Sequence, residues 1–264
     1  MRRNSFKARI TFVAILALFS FNTLAQRLTY SNDVNIVTEA ITYDTTISVA
    51  SSESQNYGLT FSPDGSKVFH IGRQKDEIIQ QSLNAPFDLS NGITLDGITD
   101  TLATSGDNFR GFRFSNDGTK IFIIHNTSDF PGNGGYVLQY DLNTPYSPVD
   151  GMELIDSLNI ALTSVVSIFS DIEISPDREL LYILDQIQDE VQVHTLNTPS
   201  SIIDGSTLVS QFDCGAGKSD MKFSPDGTSV FFLGSVDNTI EQHHLATPFD
   251  LRGATTFVGT HTFP

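Results

Sequence analysis

The chain has no tryptophan, three methionines and a single cysteine, Cys214, in 264 residues. One thiol excludes an internal disulfide, so stability rests on an apolar core. Cys214 sits among small residues and reads as a small buried hydrophobe. Basic residues are scarce: 15 Lys and Arg stand against 31 Asp and Glu. Such an acidic chain repels nucleic acid and anionic lipid, and leaves cationic partners and divalent ions open. Catalytic signatures are missing too. There is no Gly-x-Ser-x-Gly elbow, no Cys-x-x-Cys pair and no His-Glu-x-x-His sequence. Gly215-Ala-Gly-Lys-Ser219 looks like the end of a phosphate loop, but Phe212 stands where that loop needs glycine. The six histidines are scattered. His243 and His244 are neighbours on an expected strand, so they face opposite sides and cannot share a metal.

Helical periodicity is absent beyond the first 25 residues. Those residues carry Arg2, Arg3, Lys7 and Arg9, an apolar run from Ile10 to Phe21, and the small residues Thr23 and Ala25. This is the pattern of a secretory signal peptide cleaved before Gln26. The apolar run is too short to span a bilayer comfortably. No integral membrane segment is expected after cleavage, and the remainder, 26–264, is expected to be secreted, periplasmic or at the cell surface. Fifteen basic residues less these four leaves eleven against 31 acidic ones, a mature charge near −20.

What the sequence has in abundance is repetition. Phe61-Ser-Pro-Asp-Gly65, Phe114-Ser-Asn-Asp-Gly118, Ile174-Ser-Pro-Asp-Arg178 and Phe223-Ser-Pro-Asp-Gly227 are four versions of one turn. Proline presets φ at the first corner, aspartate bonds its own backbone, and glycine accepts positive φ. Before each turn lies a short segment with apolar residues two apart: Leu59/Phe61, Phe112/Phe114, Ile172/Ile174 and Met221/Phe223. Period two places each pair on one face of a strand. After each turn comes an apolar run, such as Lys120-Ile-Phe-Ile-Ile124 or Leu180-Leu-Tyr-Ile-Leu184, which reads as a strand covered on both faces. A third, more alternating strand ends in a second fixed phrase. Its copies are Leu83-Asn-Ala-Pro-Phe87, Leu142-Asn-Thr-Pro-Tyr146, Leu196-Asn-Thr-Pro-Ser200 and Leu245-Ala-Thr-Pro-Phe249. Proline cannot donate to a ladder and ends the strand. A fourth strand closes each unit.

Four strands per unit, with a second strand buried on both faces, describe a propeller blade. The expected fold is all-β: a β-propeller of four recognisable four-stranded blades, at about 57–103, 110–162, 170–212 and 219–264. A further strand is expected at 41–50, where Ile41-Thr-Tyr-Asp44 matches Ile93-Thr-Leu-Asp96. Ring closure stays open: the leftover strand fits a four-bladed ring with a spare outer strand, or an incomplete arc of a larger ring, and the arc is slightly favoured. The Phe-Ser-Pro-Asp-Gly turn followed by an apolar strand resembles the repeats of TolB-like and lactonase-like bacterial propellers. The Leu-x-Thr-Pro-Phe-Asp-Leu phrase is similar to that of a less characterised set of bacterial repeats. The likeness covers about residues 41–264 and implies a scaffold rather than a function.

Between the apolar pairs of the first strands lie Thr60, Arg113, Glu173 and Lys222. These four are expected at equivalent places near the ring axis, forming either an ion-pair belt or a polar channel. With the segments that enter the strands they define the candidate ligand-binding residues Tyr57, Arg110, Arg113, Asp171, Glu173, Asp220 and Lys222, gathered at one end of the ring. No catalytic residue or metal ligand is assigned. Calcium is the one cofactor left open, by acidic loops at Asp76/Glu77, Asp185/Asp189/Glu190 and Asp237, although none has the spacing of an Asp-x-Asp-x-Asp-Gly loop. The leading expectation is a non-catalytic exported module that binds a protein or polysaccharide. A lactonase-like hydrolase and a cell-envelope structural module are the alternatives. Carboxylates of Asp171, Glu173 and Asp220 within about 5 Å of one another, with their oxygens converging, would favour metal or catalysis. The same groups bonded to Arg113 and Lys222 would favour a scaffold.

Overall fold

The structure, a computed structural model, describes residues 56–72, 75–100, 102, 108–127, 135–160 and 167–262. The expected signal peptide, the strand at 41–50 and most of the loop from Asn126 to Gly135 lie outside these residues.

The alternating apolar segments, the turns and the double-faced apolar runs build four antiparallel sheets of four strands each, in simple meander order. Blade one holds β1 (Asn56–Phe61), β2 (Lys67–Gly72), β3 (Ile78–Ala85) and β4 (Asp88–Ile98). Blade two holds β5 (Asn108–Phe114), β6 (Lys120–Asn126), β7 (Gly135–Leu142) and β8 (Met152–Asn159). Blade three holds β9 (Phe169–Ile174), β10 (Leu180–Asp185), β11 (Glu190–Thr198) and β12 (Ser201–Asp213). Blade four holds β13 (Lys218–Phe223), β14 (Ser229–Gly234), β15 (Thr239–Leu245) and β16 (Thr255–Thr262). The architecture is a four-bladed β-propeller. Its one helical piece among the described residues is a single 3-10 turn, Pro148–Asp150.

The register makes the blades equivalent. Thr60 pairs with Phe69, Arg113 with Phe122, Glu173 with Tyr182 and Lys222 with Phe231. The cores lie between blades, as the doubly apolar second strands demand. One cluster joins blades one and two through Phe69, Ile71, Phe112 and Ile123. A second joins blades two and three through Phe122, Ile124, Ile172 and Ile183. A third joins blades three and four through Tyr182, Leu184, Met221 and Phe232. Blade one also has a cluster of its own, around Phe61, Val68 and Leu83. In β5, β9 and β13 the first apolar residue of the pair therefore packs against the preceding blade. The fourth strands are mostly exposed, as in β8 and β16.

The two repeated phrases are one device. In each turn the aspartate accepts from the serine hydroxyl two residues earlier and from the N–H two residues later, at 2.6 and 3.0 Å for Asp64. Asp117, Asp177 and Asp226 make the same bonds. The second phrase then folds back onto the turn. The N–H groups of Phe87, Tyr146, Ser200 and Phe249 donate to the carbonyls of Gly65, Gly118, Arg178 and Gly227, at 2.9–3.0 Å. All four residues of the second phrase adopt positive φ, between 52° and 57°. In blades one, two and four the aromatic ring covers the glycine. A Cβ added there would fall 2.1, 2.3 or 2.2 Å from ring carbons of Phe87, Tyr146 or Phe249. Only glycine fits beneath the ring, at a φ near +70° that glycine adopts without strain.

Candidate functional site

The first strands bring their polar residues together because each strand alternates and each blade repeats the same register. Arg113 Nε donates to Glu173 Oε1 at 2.9 Å, and its Nη2 donates to Asp171 Oδ2 at 3.2 Å. Its third nitrogen donates to the Phe112 carbonyl at 2.7 Å. Lys222 Nζ donates to the same Glu173 Oε1 at 2.6 Å. Asp220 stands 3.9 Å from Arg113. Blade three thus supplies Asp171 and Glu173, blade two Arg113, and blade four Lys222 and Asp220. Gly111 permits the approach: a Cβ there would fall 2.5 Å from Asp171 Oδ1 and 2.9 Å from the Ser170 carbonyl. The Met221 N–H also donates to Asp171 Oδ2, at 3.0 Å.

Burial and charge act in opposite senses in this cluster. Burial alone would weaken Arg113 as a cation, but Asp171, Glu173 and Asp220 raise its pKa overall. Burial would raise Glu173, yet Arg113 and Lys222 hold it below the usual carboxylate value. Asp171 goes the other way. Burial and the nearby Asp220 outweigh Arg113 and hold its carboxyl well above the usual range, with a hydrogen bond to Asp220 favouring the protonated form. Lys222 is depressed, first by burial and then by Arg113, and Glu173 only partly offsets this.

An open axial cavity of about 130 Å³ lies at the turn end of the strands. Its charged lining is Arg113, Glu173 and Lys222, with Thr60 from blade one beside them. Its rim is the second residue of each turn: Pro63, Asn116, Pro176 and Pro225. Tyr146 and Phe249, from the second phrase, also border it.

The seven candidate residues separate into three groups. Arg113, Glu173 and Lys222 line the cavity. Asp171 and Asp220 sit two residues nearer the opposite end, beside Arg113. Tyr57 and Arg110 lie at that opposite end and do not reach the cavity. There the Arg110 guanidinium stacks on the Tyr57 ring at 4.8 Å and donates to Gln186 at 3.3 Å. Gln186 in turn donates to the Ser235 hydroxyl at 3.4 Å, so one residue from each blade joins the chain of contacts. Sequence reasoning gathered the site at the strand entries, whereas the cavity opens among the turns. It missed Tyr146, Phe249 and the prolines as lining residues because each reads as turn punctuation.

Two residues of the acidic loops have partners within their own loop. Asp185 Oδ1 accepts from the N–H groups of Ile187 and Gln188 at 3.0 and 3.2 Å, and Asp237 Oδ1 accepts from the Thr239 hydroxyl at 2.7 Å. Among the described residues, no group of three or more His, Cys, Asp or Glu is arranged to hold a metal ion.

Solved structures share this fold. A protein from Lactobacillus plantarum is 14% identical, with a TM-score of 0.53 over 78% of this chain and 55% of that one. The periplasmic gluconolactonase of Pseudomonas aeruginosa is 15% identical, with a TM-score of 0.50 over 78% and 53%. A chain of the nidogen–laminin complex is 10% identical, with a TM-score of 0.50 over 80% and 65%. The shared property is the propeller fold. The chain spans a little over half the length of the first two. No protein-family model matches the chain, and no curated protein does.

Proposed function

We propose that the chain is a non-catalytic, exported binding module whose axial cavity receives part of a polysaccharide or protein partner. One observation carries this reading. Glu173 is bonded to both Arg113 and Lys222, and Asp171 is bonded to Arg113. A general base or metal ligand needs an oxygen aimed at a reacting atom. Here Glu173 Oε1 already takes two cations, and Asp171 lies beneath Arg113. What remains open is a shaped recess with an apolar rim and a polar floor, the composition of a recognition site.

Lactone hydrolysis is the second reading, supported by the fold shared with a gluconolactonase and by Glu173 in the cavity. The experiment pairs two assays on the purified chain. Retention is measured on insoluble polysaccharides and on immobilised envelope proteins, and hydrolysis is measured with glucono-1,5-lactone. Retention that Thr60→Trp abolishes by filling the cavity, with no hydrolysis above the buffer blank, is the expected result. Hydrolysis that Glu173→Gln abolishes would overturn the binding-only reading.

A further inference from the structure

Resting on the reading of the cavity as a binding site, its floor has a feature the ion belt itself does not use. Two cations, Arg113 and Lys222, share one oxygen, Glu173 Oε1. Arg113 bonds through each of its three nitrogens. Lys222 makes a single bond. Its ammonium carries three donors, one goes to Glu173, and the other two find no partner among the described residues. The equivalent residue of blade one is Thr60, which is uncharged and lines the same cavity. The lining therefore holds two positive groups and one negative group. Asp171 and Asp220 do not line it. Both pair with Arg113 instead.

The geometry points to an acidic saccharide as the ligand, with its carboxylate on Lys222 Nζ and the Thr60 hydroxyl and its ring within the proline-aromatic rim. A charge-assisted bond from ammonium to carboxylate is short and strong where water is scarce. The apolar C–H faces of a sugar ring suit Pro63, Pro176, Tyr146 and Phe249. The acidic exterior does not oppose this at contact range, since salt screens exposed charges beyond about 8 Å. A sugar acid also fits better than a bare inorganic anion, because the recess is larger than a single charged group needs.

The test is calorimetric titration of the full chain with D-galacturonic acid, D-glucuronic acid, D-galactose and D-glucose. At least one uronic acid is expected to bind about tenfold or more tighter than its neutral hexose, the scale of one charge-assisted bond. Lys222→Met should remove that margin and Lys222→Arg should keep it. Should Lys222→Met fail to fold, the native chain still decides: uronate affinity should fall several-fold from low to high salt, while hexose affinity should not. Equal affinity for acid and neutral sugars would overturn the inference and leave the binding reading intact. A uronate preference that survives Lys222→Met would overturn the role of Lys222. Binding of none of the four sugars would also overturn the inference, while retention on polymers separately decides the binding reading.

Discussion

Blade three differs from the other blades at both ends of its first hairpin. At the turn, Arg178 stands where the others have glycine, and Ser200 stands where they have Phe87, Tyr146 or Phe249. The backbone is unchanged: Arg178 has φ +70° and Ser200 has φ +54°. The two exchanges depend on each other. An aromatic ring in this corner occupies the space of a Cβ at the turn residue, so a blade can keep the ring or the side chain, not both. At the axis, blade three supplies Asp171 and Glu173, both facing the arginine of blade two. The lesson is that the repeat conserves backbone geometry while side chains trade places in correlated pairs.

The largest break in this comparison removes the arginine that blade three's carboxylates face. Arg113→Met leaves Asp171 and Glu173 buried without their main cation. It should destabilise the chain by about 3–5 kcal/mol, measured by urea unfolding. Next comes a transplant of blade three's turn into blade four. Gly227→Arg sets a Cβ 2.2 Å from the Phe249 ring and should destabilise by about 2–3 kcal/mol. The double variant Gly227→Arg/Phe249→Ser should recover a large part of that loss. Additive effects would mean that glycine and ring are independent. The reverse exchange is smaller. Arg178→Gly relieves a positive φ at a non-glycine residue and should stabilise by about 1 kcal/mol. Its contact with Asp117 is exposed at 4.0 Å and contributes little.

The smallest expected effect is in acid. Asp117, in the turn of blade two, has its pKa lowered to about 2; burial opposes the shift, and bonds from Ser115 and Thr119 drive it. A depressed carboxylate contributes stability that is present above its unfolded pKa near 3.8 and is lost as pH falls toward about 2. Asp117→Asn should lower stability at neutral pH by less than about 1 kcal/mol, and urea unfolding at a series of pH values should show the difference from the native chain shrinking as pH falls through that window.

The blades were legible in the sequence because period-two pairs and glycine turns are local signals. Leu180 to Leu184 read as a doubly buried strand, and β10 is buried throughout. The alternation of Arg113, Glu173 and Lys222 at matching offsets also revealed the axis. What could not be read was contact between the two repeated phrases. Tyr146 lies 28 residues from Gly118, and no local pattern says that a ring rests on a turn. A clue was nonetheless present, since the one unit that loses glycine also loses its aromatic. Which end of the strands opens into the cavity was likewise hidden. It is a property of how the blades pack, which no single unit encodes.

The claim beneath the functional reading is that charges near the axis satisfy one another. A double-mutant cycle on Arg113→Met and Glu173→Met measures this directly. The account predicts that each single change is severe and that the double variant regains most of the loss, with a coupling of about 2 kcal/mol or more. Additive losses would mean that Arg113 and Glu173 do not depend on each other. Glu173 would then be held by Lys222 alone, and the account of mutually satisfied charges would be wrong.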